Sequence, residues 1–182
     1  MTAILKLYLD IALLRRGPED VPASRNLLWA TLLAFVALNA LLTLAFRPTT
    51  DNWPLQLLVS VGFTLLWYRV LLGLFGRPER YQQTVTAIFG FGCIITPLIV
   101  PVTGMMAPLA DHPEQAMPWM LLLLPLAIYL LYVTARILRA AIERPMFQCV
   151  TLVLLQTFLE PLLLLTMFGA DLPAGAAAPV GG

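Results

Sequence analysis

The sequence predicts an all-α fold: a polytopic transmembrane helix bundle of five spans, preceded by an amphipathic interfacial helix. Three observations carry this. First, of the 182 residues, 60% are hydrophobic and 12% charged, with a mean hydropathy of +0.86. A soluble domain carries about 45–50% apolar and about 25% charged residues, so a water-facing surface could not be covered. Second, the apolar residues fall in five long blocks. Third, the basic residues between the blocks are distributed asymmetrically.

Crossing about 30 Å of hydrocarbon takes ~20 apolar residues. The blocks Leu27–Phe46, Leu55–Phe75, Thr84–Thr103, Pro118–Leu138 and Val150–Phe168 meet that requirement. Each must be helical, because a lone lipid-exposed strand leaves its backbone groups unpaired, and the alternation of a membrane barrel is absent. With the amino terminus inside, the inner side receives Lys6, Arg15, Arg16, Arg25, Arg77, Arg80, Arg139 and Arg144, with Arg69 and Arg136 near the inner ends of their spans. The outer side receives Arg47 alone. Ten against one, from a total of 11, orients the chain with its amino terminus cytoplasmic and its carboxyl terminus outside. Trp53 and Trp119 fall at the outer headgroups, Trp29 and Tyr81 at the inner ones.

Residues 1–26 form a cytoplasmic segment. Within it Thr2–Arg16 reads as a helix, with Ile4, Leu7, Tyr8, Ile11 and Leu14 on a broad apolar face and Lys6, Asp10 and Leu13 opposite. Gly17-Pro18 is the expected stop. Two placements fit: in the inner leaflet's interface, or packed against the bundle. Lys6 and Asp10 interrupt the apolar run and no small-residue cleavage site follows, so the amino terminus is expected to be retained. Ser24 is positioned to cap the first span. Residues 169–182, rich in Pro, Gly and Ala, are expected to form a flexible outer tail. Arg77-Pro78 before the third span is echoed by Arg144-Pro145 before the fifth; proline suits a first helical turn.

Net charge is +1, which points to no nucleic-acid partner. Cys93 and Cys149 are far apart, with no metal spacing and no expected disulfide. His112 stands alone. The outer-loop set Met105, Met106, Asp111, His112, Glu114 and Met117 offers soft ligands with nothing to fix their geometry, so no cofactor is expected. Hydrolase motifs are missing: there is no Gly-x-Ser-x-Gly and no His-Glu-x-x-His, and Ser60 has no visible base. No enzyme is expected.

Glu160 is the most informative residue. It lies near the middle of the fifth span, before Pro161, with Gln156 one turn earlier on the same face. A charge at that depth costs roughly 2.5–3.5 kcal/mol, so it should face the bundle interior with a partner. Arg69, about 9 Å from the inner end of its span against about 15 Å for Glu160, is the first partner to consider, with Arg136 behind it. Snorkelling to the headgroups is the competing role for Arg69. The candidate intramembrane polar site is therefore Glu160, Gln156 and Arg69, serving either as an ion, proton or ligand site or as a packing contact. Gly90-Phe91-Gly92 followed by Pro97 and Pro101 fits either a broken third span of the transporter kind or a kinked packing helix.

The chain resembles the Yip family (Ypt/Rab-interacting-protein type), in particular its bacterial members. The resemblance is carried by Leu-Arg-Arg-Gly-Pro-Glu-Asp-Val-Pro-Ala-Ser at Leu14–Ser24, and by Gly76–Thr84 running into Ala87 and Gly90. It implies a non-catalytic membrane organiser or assembly partner, whose partners are the lipid bilayer and other membrane proteins or a second copy of the chain. The long cytosolic domain with which eukaryotic members engage GTPases is not matched, so GTPase binding is not implied. Arginine outnumbering lysine ten to one suits a GC-rich genome and the bacterial cytoplasmic membrane. The alternative is a small transporter or channel subunit with its intramembrane site at Glu160. The two differ on whether a cavity reaches that residue.

Overall fold

The computed structural model describes residues 2–46, 52–106, 109 and 113–169. Among these, regular structure is entirely helical: α1 (Thr2–Ala12), α2 (Arg25–Ala45), α3 (Trp53–Leu74), α4 (Tyr81–Met106), α5 (Pro113–Ile142) and α6 (Met146–Phe168). Five of these, α2 to α6, are long and apolar enough to cross a membrane. Each runs past the apolar block that predicted it at one or both ends. α6 starts at Met146, four residues before the expected Val150. The expected tail lies almost wholly outside the described residues, as do Arg47, Asp111 and His112.

Lipid is the solvent that fits this surface. Leu33, Leu74 and Phe158 are 66%, 76% and 73% exposed, a degree of apolar exposure that a soluble monomer would not sustain over whole helices.

α4 is the hub, contacting α1, α2, α3 and α5. Its buried residues mix apolar side chains, Val85, Phe89, Phe91 and Ile95, with small and hydroxyl-bearing ones that admit neighbours closely, among them Thr84, Thr86, Ala87 and Gly90. Thr84 and Thr86 donate to the carbonyls of Arg80 (2.8 Å) and Gln82 (2.6 Å) in the preceding turn, so burying their hydroxyls leaves nothing unpaired. Gly92 lies under the Phe35 ring of α2, and Phe35 in turn meets Phe89 at 5.1 Å between centroids. The helix stays continuous through Pro97 and Pro101, as the packing-helix reading requires.

α1 ends at Ala12, earlier than the expected Arg16. Leu14 takes a left-handed φ of 61°, Leu14 N–H donates to Ile11 and Arg15 N–H to Asp10, which is the Schellman pairing. Leucine in that conformation costs about 1–2 kcal/mol, so glycine at 17 is not what stops the helix. The apolar face docks on the bundle: Leu7, Tyr8 and Ile11 are buried with Phe91, Ile95 and Val133. Tyr8 shares a 2.6 Å hydrogen bond with Thr31 of α2, and Tyr129 of α5 donates to the Ala12 carbonyl. Leu5, Leu9 and Leu13 remain exposed beside Lys6. Spin labels at Asp10 and Leu5, on different sides of α1, are expected to report water and lipid respectively. Equal water access at both would mean that α1 does not touch the bilayer.

After α1, Ser24 caps α2 as expected, accepting from Leu27 N–H at 3.4 Å. The arginine-rich links meet at one end of the bundle. Arg77 and Arg80 donate to the two carboxylate oxygens of Glu143 at 2.5 and 2.6 Å, and Arg80 also donates to the Ala140 carbonyl at 2.7 Å. The Arg-Pro echo is not an echo in geometry: Pro78 opens a short 3₁₀ turn, whereas Pro145 caps α6 directly. Glu143 itself sits at φ 56°. Glu143→Ala and Glu143→Gly both remove the half-exposed ion pairs, worth about 1 kcal/mol or less after screening, but only glycine also relieves the backbone. Detergent melts should therefore rank Gly above Ala by about 1 kcal/mol. The reverse order would show that the left-handed turn carries no strain.

Candidate functional site

Depth along the helices decides which polar side chains can meet. Glu160 lies 160 − 146 = 14 residues into α6, and Ser60 lies 74 − 60 = 14 residues from the matching end of α3. At 1.5 Å per residue both sit about 21 Å from the arginine-rich end. They meet: the Ser60 hydroxyl donates to Glu160 Oε1.

Arg69 does not join them. It is 74 − 69 = 5 residues from the end of α3, so about 13 Å of helix separates it in depth from Glu160. Its exposed guanidinium lies over the Tyr81 ring, 5.5 Å from the centroid. Among the described residues Glu160 forms no ion pair. The expected partnership is corrected because α6 begins a full turn earlier than its apolar block, which sets Glu160 deeper. Arg136 is no substitute, since it lines two pockets at the arginine-rich end.

Around Glu160, α3, α4, α5 and α6, with Phe35 of α2, line an open cavity of about 710 Å³. Its walls are mostly apolar, with Phe89, Phe91, Ile95 and Leu131 among them. Polar groups come from all four helices, most of them from α3 and α6, with Thr96 of α4 and Thr134 of α5 also in the lining. Ser60 and Tyr68 come from α3; Gln156, Thr157 and Glu160 come from α6. The i, i+4 spacing puts Gln156 beside Glu160 as expected. Tyr68 is fully buried, and its hydroxyl has no hydrogen-bond partner among the described residues; the same holds for Gln156 Oε1. Leaving such a group unmatched costs about 1–3 kcal/mol. Pro161 lacks an N–H, so the Thr157 carbonyl loses its helical donor as well. The site thus holds two unmatched acceptors, Gln156 Oε1 and the Thr157 carbonyl, and one unmatched hydroxyl, Tyr68, that donates as well as accepts.

One side of the cavity opens toward the surface that faces lipid. Ile128 of α5 and Leu154 of α6 line it while remaining 60% and 39% exposed, and Pro161 is exposed beside them. α5 and α6 pack together in the half nearest their connecting turn, through Ala135, Leu138, Cys149 and Val153. The opening lies farther along the hairpin.

Ser60 and Tyr68 were not among the expected site residues. Tyr68 carried no signal, being one aromatic in an apolar run. Ser60 did carry one, because its distance from the end of its helix equals that of Glu160, but this shows only when helix ends are known. The outer-loop metal set includes residues outside those described; among the described residues no three His, Cys, Asp or Glu group together to hold a metal. Cys93 and Cys149 are free thiols.

No protein-family model matches the chain, and neither does any curated protein or solved structure.

Proposed function

We propose that this chain is a non-catalytic multi-pass membrane protein that takes up a small, largely apolar molecule at mid-bilayer, as a carrier or channel subunit. The observation that carries the reading is the cavity itself. It reaches Glu160, which a tightly packed organiser would not require, and it sets the carboxyl group among polar groups without partners, the Gln156 Oε1 acceptor and the Tyr68 hydroxyl. An apolar chamber with a few convergent polar groups is the usual form of a small-molecule site. The ligand that fits donates hydrogen bonds, as an amine or alcohol does, and its apolar body enters from lipid between α5 and α6. Glu160 anchors the donor, Gln156 and the Thr157 carbonyl accept further bonds, and Ser60 holds the carboxyl group in place.

An environment-sensitive dye on an alkylamine, titrated into the protein in liposomes, tests this. Glu160→Gln is expected to weaken binding roughly 10- to 100-fold, the scale of one charge-assisted hydrogen bond. Ala127→Trp, which fills the cavity, is expected to abolish binding. Undiminished binding in both variants would end the proposal.

The Yip-type organiser remains a second reading, favoured by one observation. The two segments that carry the resemblance come together, with Gln83 Nε2 donating to the Val21 carbonyl at 2.9 Å. They form one surface at the arginine-rich end, available to another membrane protein or a second copy. Capture of a defined partner that is lost on Gln83→Ala, with dye binding unchanged, would favour it. In either reading we place the arginine-rich end in the cytoplasm of a bacterium, with the chain in its inner membrane. Reporter fusions at the two termini should then give opposite locations, and a shared location would refute five spans.

A further inference from the structure

A second pocket, of about 570 Å³, lies at the arginine-rich end, where α5 turns into α6. Arg136, Arg139, Arg144 and Glu143 line it, with Ala140 and Pro145. The carboxylate among them is already engaged by Arg77 and Arg80, so five arginines face one carboxylate and the cluster keeps an excess of positive charge. Arg136 and Arg139 lie three apart on α5 and share a face. Arg144 is steadied by the Phe75 ring, 5.6 Å from its guanidinium carbon. The first turn of α6 adds to the field: its cap is Pro145, no side chain caps it, and its first internal bond runs from Cys149 N–H to the Pro145 carbonyl. Leading N–H groups of a helix without a side-chain cap favour an anion.

We propose that this pocket binds the phosphate headgroup of an anionic membrane lipid. The arginines offer more than enough charge and donors for the single negative charge and the acceptor oxygens of a phosphodiester, and the location selects a lipid over a dissolved phosphate. α6 has 23 residues and is about 34 Å long, close to the ~30 Å of hydrocarbon, so its first turn stands at headgroup height. Phe147, 81% exposed in that turn, presents an apolar surface at the same height. Basic pockets between membrane helices hold headgroups in this way.

Native mass spectrometry of the full chain in detergent, with equal phosphatidylglycerol and phosphatidylcholine of one chain length, tests the site. The parent chain is expected to retain phosphatidylglycerol in preference. Each arginine contributes about five-fold, so Arg136→Gln/Arg139→Gln/Arg144→Gln should lose roughly a hundred-fold of that preference, while Arg25→Gln, which lines neither pocket at this end, keeps it. Should the triple variant fail to fold, judged by its tryptophan-monitored melt, Arg139→Gln alone should show the five-fold loss. An unchanged preference in the folded variants overturns the proposal, as does no preference in the parent. Displacement of the lipid by millimolar inorganic phosphate also overturns it, since that would mark a site for soluble anions.

Discussion

Gly90→Leu is expected to unseat α1 from the bundle. A Cβ at this position would run into the Tyr8 ring, whereas one at Gly62 would meet nothing within 4 Å. Both substitutions gain about the same helix propensity, up to ~1 kcal/mol, so the difference between them isolates the collision. Overpacking of this kind costs about 1–3 kcal/mol. Moving Tyr8 also threatens its bond to Thr31 and the bond from Tyr129 to Ala12, each worth about 1 kcal/mol net. The detergent melting temperature of Gly90→Leu should fall while that of Gly62→Leu holds or rises, and residues 2–12 should become open to protease. Combining Gly90→Leu with Tyr8→Ala should cost less than the sum of the two, because the second change makes room for the first. If Gly90→Leu melts with Gly62→Leu, the close seat of α1 on α4 is wrong.

Ser60→Ala is expected to destabilise the bundle by about 1–3 kcal/mol, the cost of leaving a half-buried acceptor at membrane depth without its donor. Glu160→Gln should cost less, since the amide oxygen still accepts from Ser60. Glu160→Leu strands the serine instead. The double variant Ser60→Ala/Glu160→Leu should therefore recover most of the loss, and full recovery would agree with the general finding that an apolar pair can replace a buried polar one. Arg69→Met provides the contrast. Its effect should add to that of Glu160→Leu without coupling, because its guanidinium rests on Tyr81. Strict additivity of Ser60 and Glu160 would remove the contact, and coupling between Arg69 and Glu160 would restore the ion pair that the geometry argues against.

Hydropathy alone was enough to read five helices and their approximate limits, because in lipid every backbone group must be satisfied within its own segment. Glu160 stood out for the same reason, as a group too costly to bury without purpose, and helical spacing was enough to seat Gln156 beside it. Ser24 was legible as a cap from its type and position. Partnership was not legible. A span that is apolar all round carries no periodicity to tell its inward face from its lipid face, so Ser60 could be told from a residue pointing at lipid only once the ends of α3 and α6 were known. The pairing of Arg69 with Glu160 looked plausible only while the start of α6 was read from its apolar block; the tertiary turn at Glu143–Pro145 sets the helix one turn earlier and the acid correspondingly deeper. The docking of α1 likewise depends on Gly90, eighty-two residues from Tyr8, offering a gap the width of a ring. The solvent determined which segments are helices. Which side chains meet depended on relative depth and rotation between helices, and those arise only when the bundle packs.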